Sequence, residues 1–368
     1  MQNTKKTTST LFGKHKQFGV KKKSLFLVSI ITLLSFSLHA QLGGRYAYSF
    51  LEQPVSARIA GLGGNVAAIN DNDINIGFVN PSLINPGMDN MIGFNYVNSF
   101  AGVNYGSLQY ANTFEKVGSF MATLQFMDYG KFDYADETGN IDGNFGASDF
   151  ALNIGWGRRL DSLFSIGATA KLIYSFYESY TSFGMAVDVA GTFHSKSGWD
   201  MSLVARNIGM QLKTYTAGVR DPLPFNMQYV VTKRLDHVPF RFMMIYDHIE
   251  KWDLTYNDPA NPSGGIDPIT GEPQYKTGFA KFGDQFMRHI ILSAELYIGK
   301  NFILRGGYNY RRRQEMKIND KAGMVGFSWG FGIRIYKFKI NYSRATHHLV
   351  GSPNYLTLVF DMSSFIKK

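Results

Sequence analysis

The chain has 368 residues, of which 45% are hydrophobic and 15% are aromatic, and it contains no cysteine. The lack of cysteine excludes a disulfide framework, a thiolate metal site and a lipid-anchored N-terminus. The formal net charge is +10, and the first forty residues contribute seven lysines to it and no acidic residue. The net charge of residues 41–368 is therefore about +3. A nucleic-acid-binding surface is therefore not indicated.

The N-terminal region predicts export. Those seven lysines, with no acidic residue, precede or enter the stretch SLFLVSIITLLSFSLHA, whose apolar part runs over the 14 residues from Leu25 to Leu38. A spanning helix needs about 20 residues, so this segment is too short for one. The small residue Ala40 stands before Gln41. Together these features predict a secretory signal peptide over residues 1–40.

Residues 41–90 are rich in glycine and Asn-Pro pairs, which suit neither a helix interior nor a central strand. Proline fixes its own φ, lacks an N–H and pushes the preceding residue out of the helical region. An Asx-rich turn at Asn70–Asp73 lacks the Gly and Glu positions of a calcium loop. We expect an irregular segment whose key positions are Gly61, Gly63, Gly64, Asn80, Pro81, Asn85 and Pro86.

From Met91 onward the chain alternates apolar and small or polar residues with a period of two. In FALNIGW (150–156) every second residue is large and apolar, and VGFSWGFGIRI (325–335) repeats the pattern with mostly glycine and serine between. Segments of about ten residues that alternate in this way are typical of membrane strands. A soluble β-sandwich alternates as well, so the pattern alone leaves both architectures open.

The lengths of the connections favour a barrel. Short connections follow the even-numbered segments and mostly longer ones follow the odd-numbered segments, as in a barrel with short periplasmic turns and long outer loops. We therefore predict an all-β fold, a 14-stranded antiparallel transmembrane β-barrel over residues 91–368, with both termini in the periplasm and residues 41–90 as a hatch in the lumen. The predicted strands are 91–99, 104–114, 117–128, 147–159, 162–175, 181–194, 199–211, 223–234, 239–249, 286–298, 301–312, 322–334, 336–345 and 354–362.

Three long loops are the predicted docking surface for a partner: 129–146, 212–222 and 250–285. The basic run at 311–313 is a further candidate, because it could meet lipopolysaccharide phosphates; the alternative is a solvated rim. The candidate partner-binding residues are Tyr129, Asp133, Tyr134, Tyr215, Arg220, Trp252, Tyr256, Arg311, Arg312 and Arg313.

No motif predicts catalysis, a cofactor or a metal. The eight histidines are scattered, and the adjacent pair His347-His348 cannot point the same way on a strand. No serine lies in a nucleophile-elbow context, and the glycines at 61–64 lack the strand and spacing of a dinucleotide site. We therefore expect a protein that is not an enzyme.

The stretch ARIAGLGGNVAAINDNDINIGFVNPSLINP (57–86) resembles the N-terminal segment of FadL-like barrels, in which it forms a hatch inside a 14-stranded outer-membrane barrel. The family's Asn-Pro-Ala box reads here Asn80-Pro81-Ser82. Further stretches resemble the PorV–PorQ family, outer-membrane barrels of the type IX secretion system of Bacteroidetes. They are 44–64, 104–110, 160–168, 180–194, 207–225, 235–242 and 248–259.

The second resemblance implies a non-enzymatic member of the attachment complex at the cell outer membrane. That complex joins cargo with C-terminal sorting domains to anionic lipopolysaccharide at the cell surface. The implied partners are a PorZ-like surface protein, the peptidase PorU, the barrel PorV and outer-membrane lipids. The alternative is a FadL-like channel for small hydrophobic molecules, which the small polar residues on the predicted lumen face disfavour.

Overall fold

The computed structural model describes residues 46–255, 265–267, 269–274, 276–316, 323–346 and 351–364. The predicted signal peptide, residues 1–40, and the candidate Tyr256 lie outside the described residues. In the part that is described, fourteen antiparallel strands form a closed barrel in which the first strand pairs with the last. Closure gives every wall strand a paired neighbour on each side, as a wall in lipid requires because lipid offers no hydrogen bonds.

The wall strands alternate buried and exposed side chains along their length. Strands are numbered in chain order, so the numbers β10 and β11 belong to a separate two-stranded pair. The wall strands are β1 (Met91–Asn98), β2 (Asn104–Phe114), β3 (Gly118–Ala135), β4 (Ile141–Arg159), β5 (Phe164–Tyr177), β6 (Tyr180–His194), β7 (Trp199–Lys213), β8 (Asn226–Arg234), β9 (Phe240–Tyr246), β12 (Ile290–Ile298), β13 (Phe302–Asn309), β14 (Phe327–Ile335), β15 (Phe338–Ala345) and β16 (Asn354–Asp361). The separate pair is β10 (Gly265–Ile266) with β11 (Pro273–Gln274).

Each of the fourteen predicted segments overlaps one wall strand, so the predicted barrel is confirmed. The largest error is the predicted loop 129–146, which is mostly strand, because β3 and β4 extend into a long hairpin with its turn at 136–140. Its glycines and acidic residues are typical of turns, yet cross-strand pairs such as Phe132 with Phe145 hold it in the sheet. The predicted loop 176–180 is similarly reduced to the two residues between β5 and β6.

Two predicted strands begin or end in helix instead. Residues 286–288 are the last turn of a helix, and 310–312 start another. A short run of mixed residues cannot be assigned by periodicity alone, which explains both errors. The α-helices in the described ranges are α1 (Ala57–Gly61), α2 (Ile74–Val79), α3 (Gly278–Arg288) and α4 (Tyr310–Met316).

The connections define two ends of the barrel. At one, which we call the short-turn end, the turns after β2, β4, β6, β8, β12 and β14 are brief; the opposite one is the long-loop end. This alternation of short turns with mostly longer loops agrees with the connection lengths that the sequence predicts. The connections between β7 and β8, β9 and β12, and β13 and β14 are the longest at the long-loop end.

The outer face of the barrel is apolar. On β4, Phe150, Leu152 and Ile154 point outward and are 39–45% exposed, whereas Ala151 and Asn153 point inward and are buried. An exposed apolar wall with buried small and polar residues is the arrangement of a transmembrane barrel. No helix within the described ranges combines the length and the hydropathy that a membrane crossing requires.

Residues 46–90 fold inside the barrel and are called the plug from here on. The plug contains α1, α2 and three short 3-10 helices, at Ser49–Glu52, Pro81–Leu83 and Pro86–Met88. Each proline of the two Asn-Pro pairs occupies the first position of its 3-10 helix, where an N–H is not needed. Buried apolar side chains pack the plug against inward-facing wall residues, among them Ile59, Leu62, Ile69, Val204, Val230 and Ile245.

Candidate functional site

A buried arginine fastens the plug to the wall. Ser56 caps the N-terminus of α1 by accepting from the Ile59 N–H, and the helix directs Arg58 toward β12. Arg58 Nε donates to Glu295 Oε1 at 2.9 Å, and its side chain is only 4% exposed. Its two terminal nitrogens donate to plug carboxylates, to Asp73 at 2.9 Å and to Asp71 at 2.8 Å.

Glu295 is the centre of this charge cluster on the wall side. It also accepts from Arg241 Nη1 of β9 at 2.9 Å and from Arg305 Nε of β13 at 2.9 Å. The buried charges are thus paired on both sides, which their removal from water requires. Burial alone would raise the pKa of Asp73, but the Arg58 guanidinium outweighs burial and holds that pKa below its ordinary value.

The first Asn-Pro pair makes a second attachment. Asn80 is fully buried and donates from Nδ2 to Ala67 O and to Ser202 Oγ of β7, both at 3.0 Å. Ser82 donates to Asn80 Oδ1 at 2.6 Å and lies 2.6 Å from Thr192 Oγ1 of β6. The small residue after Asn80-Pro81 therefore supplies a hydroxyl that an alanine would lack.

The second pair stays within the plug. Asn85 Oδ1 accepts from the Gly87 N–H at 2.8 Å, and its Nδ2 donates to the carbonyls of Asp71 and Leu83. Pro86 follows it at the start of the last 3-10 helix. This pair therefore shapes the turn that leads into β1.

The plug glycines lie where backbone passes close to the wall. Gly63 has a φ of 77° and faces Gly307 of β13. A Cβ on Gly307 would lie 2.3 Å from the carbonyl carbon of Leu62. The same closeness holds for Gly61, where a Cβ would lie 2.6 Å from Ser343 Oγ, and for Gly64, where it would lie 2.5 Å from a methyl group of Ile245.

Two cavities open at the short-turn end, and both are lined mainly by charged and amide side chains. One, of 170 Å³, lies beside the Arg58 cluster, with Lys300, Arg305 and Lys339 in its lining. The other, of 350 Å³, includes Arg159, His194 and Lys196. Neither has the largely apolar lining that a pocket for hydrophobic molecules needs.

A hydroxyl, an imidazole and a carboxylate form a chain across β5, β6 and β7. Ser165 Oγ lies 3.0 Å from His194 Nε2, and His194 Nδ1 lies 2.7 Å from Asp200 Oδ1. This order resembles a hydrolase triad, but Ser165 is 5% exposed and is not part of the lining of the cavity that His194 and Asp200 reach. This series of hydrogen bonds therefore links three strands and does not present a nucleophile. Sequence reasoning missed it because the residues come from three strands.

Two of the candidate partner residues, Tyr129 and Tyr215, point into the mouth of the lumen. Tyr129 donates to Asp149 Oδ2 at 2.6 Å, and Tyr177 donates to the same oxygen at 2.8 Å. Tyr215 donates to Ser175 Oγ at 2.6 Å. Their hydroxyls are thus engaged within the barrel.

Asp133 and Tyr134 lie on the long hairpin of β3 and β4. Phe132 stacks on Phe145 at 5.3 Å and Tyr134 contacts the same ring at 4.9 Å between centroids. Phe132 is 43% exposed and Tyr134 is 41% exposed. At the tip, side-chain donors from Thr138 and Asn140 lower the pKa of Asp136 to about 2. The hairpin is therefore an ordered arm with an exposed aromatic cluster.

Arg220 and Trp252 lie in the other two predicted docking loops. Arg220 is exposed between β7 and β8. Trp252 is 43% exposed, donates from Nε1 to Gln285 Oε1 at 3.1 Å and stacks on His289 at 5.6 Å. It therefore belongs to a packed rim and not to a loose loop.

The basic run 311–313 forms the first half of α4, at the end of β13. Arg311 Nη1 lies 3.7 Å from Asp247 Oδ2, and Arg313 donates to the Gly323 and Val325 carbonyls. Burial lowers the pKa of Arg312 from its ordinary value. Arg311 and Arg313 therefore have partners within the chain, which differs from the predicted basic outer loop.

A titratable cluster follows β9 directly, and the sequence offered no signal for it. His248 Nδ1 lies 2.7 Å from Glu250 Oε1, and its Nε2 lies 3.7 Å from Asp247 Oδ2. Burial alone would lower the pKa of His248, but these two carboxylates outweigh burial and hold it above its ordinary value. Burial would raise the pKa of Asp247, but the charges of His248 and Arg311 bring it to about 2. Burial raises the pKa of Glu52, which faces the cluster from the plug.

The sequence matches no protein-family model and no curated protein. Among solved structures, the chain is similar to the toluene transporter TodX of Pseudomonas putida, with 10% identity, 83% of this chain and 96% of that chain covered, and a TM-score of 0.49. The monoaromatic hydrocarbon channel CymD has 12% identity, coverage of 85% and 97%, and a TM-score of 0.45. A Pseudomonas aeruginosa FadL homologue has 9% identity, with 83% of this chain and 98% of that chain covered and a TM-score of 0.47. At such values these similarities carry no argument about function.

The barrel itself defines the class of protein. It is a transmembrane β-barrel of fourteen antiparallel strands, among the described residues, with an N-terminal segment folded in its lumen.

Loss of the Arg58 guanidinium should destabilise the plugged barrel. Arg58→Met leaves three carboxylates short of a buried partner, which costs about 3–5 kcal/mol in the free energy of unfolding. Urea titration followed by heat-modifiable gel migration measures this change. Arg334→Met, at an exposed arginine of β14, is the matched control and should stay within about 0.5 kcal/mol of the wild type. Equal midpoints for the two variants would contradict the anchoring role.

The mouth of the barrel should loosen as pH rises. The pKa of His248 lies above 6.5 in the folded state, so its charge stabilises the fold fully below about pH 6.5 and this stabilisation is lost as pH passes the folded-state value. Hydrogen exchange of residues 247–255, corrected for intrinsic rates, should be faster at about pH 8.5 than at about pH 6. His248→Gln should remove the difference. A wild-type rate that falls with pH would refute the assignment.

Proposed function

We propose that this protein is a non-enzymatic anchor in the outer membrane that holds a surface partner at its long-loop end. The observation that carries the proposal is the β3–β4 hairpin. With 18 residues in β3, a rise of about 3.4 Å per residue and a tilt of about 40°, the strand gains about 47 Å in height, against an apolar band of about 25 Å. The hairpin therefore extends about 20 Å beyond the apolar band.

The filled lumen supports the same proposal. Arg58, Asn80 and the close backbone contacts at Gly307 hold the plug to the wall on several sides. Docking on the hairpin needs no movement of the plug. In this proposal the short turns and both termini lie in the periplasm and the hairpin is outside the cell.

The resemblance of the sequence to the PorV–PorQ family specifies the partner class. By that resemblance the anchor serves the attachment complex of the type IX secretion system, with a PorZ-like surface protein on the loops and with PorU and PorV in the same complex. Cargo with C-terminal sorting domains would then be joined to lipopolysaccharide nearby. This specific assignment rests on the sequence resemblance alone.

The second candidate is a channel for small hydrophobic molecules, and one observation favours it. The β7–β8 ladder ends at Arg206 with Asn226, so Asn207–Lys213 of β7 has no ladder partner on the β8 side. The following segment covers this edge through two bonds, from Asn207 Nδ2 to Pro224 O at 2.9 Å and from the Asp221 N–H to Gln211 Oε1 at 2.9 Å. Displacement of that segment would open a lateral route through the wall.

The anchor proposal is tested at the hairpin aromatics. Phe132→Ser combined with Tyr134→Ser removes the exposed rings but leaves the ladder intact. In a deletion strain of the source organism, this variant should fail to restore cargo with sorting domains to the cell surface, as measured by immunolabelling of intact cells. Tyr336→Ser, at an 81% exposed ring of the short-turn end, is the matched control and should restore it. Full activity of the hairpin variant, with heat-modifiable migration unchanged, would refute the docking surface.

The channel candidate is tested in liposomes. Under the anchor proposal, uptake of radiolabelled toluene into liposomes that contain the full barrel should equal uptake into protein-free liposomes. Gln211→Ala removes one of the two bonds that close the β7 edge, and it should leave this result unchanged. Uptake that exceeds the protein-free rate and rises further in Gln211→Ala would favour the channel.

A further inference from the structure

Helix α3, at the long-loop end, has its polar face inward and its aromatic face outward. Three polar side chains are buried, and three aromatic side chains are 87%, 52% and 40% exposed. The aromatic residues are spaced three and four apart, so they share one face of the helix. An ordinary surface helix buries its apolar stripe, so the orientation of α3 is the reverse of the usual one. The buried residues are Asp284, Gln285 and Arg288, and the exposed ones are Phe279, Phe282 and Phe286.

The polar face is bonded to its neighbours, which sets this orientation. Asp284 accepts from Arg288 Nε at 2.8 Å and from the Tyr310 hydroxyl of α4 at 2.9 Å. Gln285 accepts from Trp252 Nε1 at 3.1 Å. Turning the phenylalanines inward would break these bonds and leave buried polar groups unpaired.

The aromatic face continues the lipid-facing surface of the wall. On β9, Phe242 and Met244 point outward and are 49% and 40% exposed, and Tyr246 follows on the same side at the end of the strand. Phe286 packs on Tyr246 with 6.1 Å between ring centroids. The ring of Phe282 packs on that of Trp252 with 5.4 Å between centroids.

At β9 the wall is shorter than the apolar band of a bilayer. With the 7 residues of β9, a rise of about 3.4 Å per residue and a tilt of about 40°, the strand gains about 18 Å, against an apolar band of about 25 Å. A shortfall of about 7 Å would expose bilayer core to polar loops. A helix about 10 Å across that lies along the rim fills that height.

We propose that α3 is a membrane-interface element that binds lipid acyl chains. Its face of Phe279, Phe282 and Phe286 lies in the boundary of the leaflet at the long-loop end and completes the apolar band above β9. The occupant of this face is lipid, because the face is continuous with the lipid-facing wall. The inference depends on the barrel and is independent of the partner that the hairpin binds.

The absence of cysteine from the whole chain permits a direct test with single nitroxide labels. The full-length barrel is reconstituted in dioleoylphosphatidylcholine vesicles as Phe279→Cys and Phe282→Cys. Lys281→Cys is the matched control within the helix, since it lies about 130° round from the aromatic face at about 100° per residue. Leu152→Cys on the wall and Glu137→Cys at the hairpin turn give the lipid and water references.

Labels at 279 and 282 should collide several-fold more with oxygen, which dissolves in acyl chains, than with a water-soluble nickel complex. Their depth should fall between those of the labels at 152 and 137, and the label at 281 should resemble that at 137. Water-like collisions at both phenylalanine positions would overturn the proposal. So would shielding from both reagents, which would mean that protein covers the face. Heat-modifiable migration of every variant verifies that the barrel is folded.

Discussion

The bond between the Arg58 guanidinium and Glu295 is the interaction on which the interior depends. A strand that faces lipid must find all its polar partners in the sheet or in the lumen, and the lumen here is filled by a separate segment of chain. A buried arginine is tolerated only where each of its charged neighbours is paired. The position of Glu295 on β12 therefore fixes α1, and α1 in turn brings Gly63 against Gly307 and leaves Asn80 within reach of β7.

The wall around this interior is uneven, and its two sides meet different surroundings. The strands β3 and β4 continue beyond the membrane, where stacked aromatic rings and a rigid turn hold them in a hairpin. At β9 the wall stops early, and the aromatic face of α3 supplies the missing height. Lipid surrounds the barrel on both sides, but only the hairpin side extends beyond the apolar band.

The sequence predicts the wall well and the interior poorly, for a physical reason. Period-two alternation is a local signal, so FALNIGW is sufficient to place Leu152 outward and Asn153 inward. Arg58 and Glu295 are 237 positions apart, and Ser165, His194 and Asp200 meet only through strand register, so no local pattern announces them. Composition misled at 129–146, because glycine and aspartate are frequent in turns but tolerated in a hairpin stiffened by cross-strand aromatic pairs. The Asn-Pro pairs were informative, since their backbone limits required an irregular segment.

The contacts of the plug also favour the proposed anchor over the channel for small hydrophobic molecules. A route through the centre of the lumen would require α1 to leave Glu295, and loss of one buried partner costs about 3–5 kcal/mol, which lowers the open population by about a hundredfold to a few thousandfold. A small hydrophobic molecule carries no charge that could replace the guanidinium, so its binding cannot recover that cost. Passage would therefore have to avoid the plug and use the edge of β7 at Asn207–Lys213, where the covering segment bonds to β7 through Pro224 O and the Asp221 N–H. Docking on the hairpin, as proposed, meets neither barrier, because the stacked rings of Phe132 and Tyr134 are already exposed.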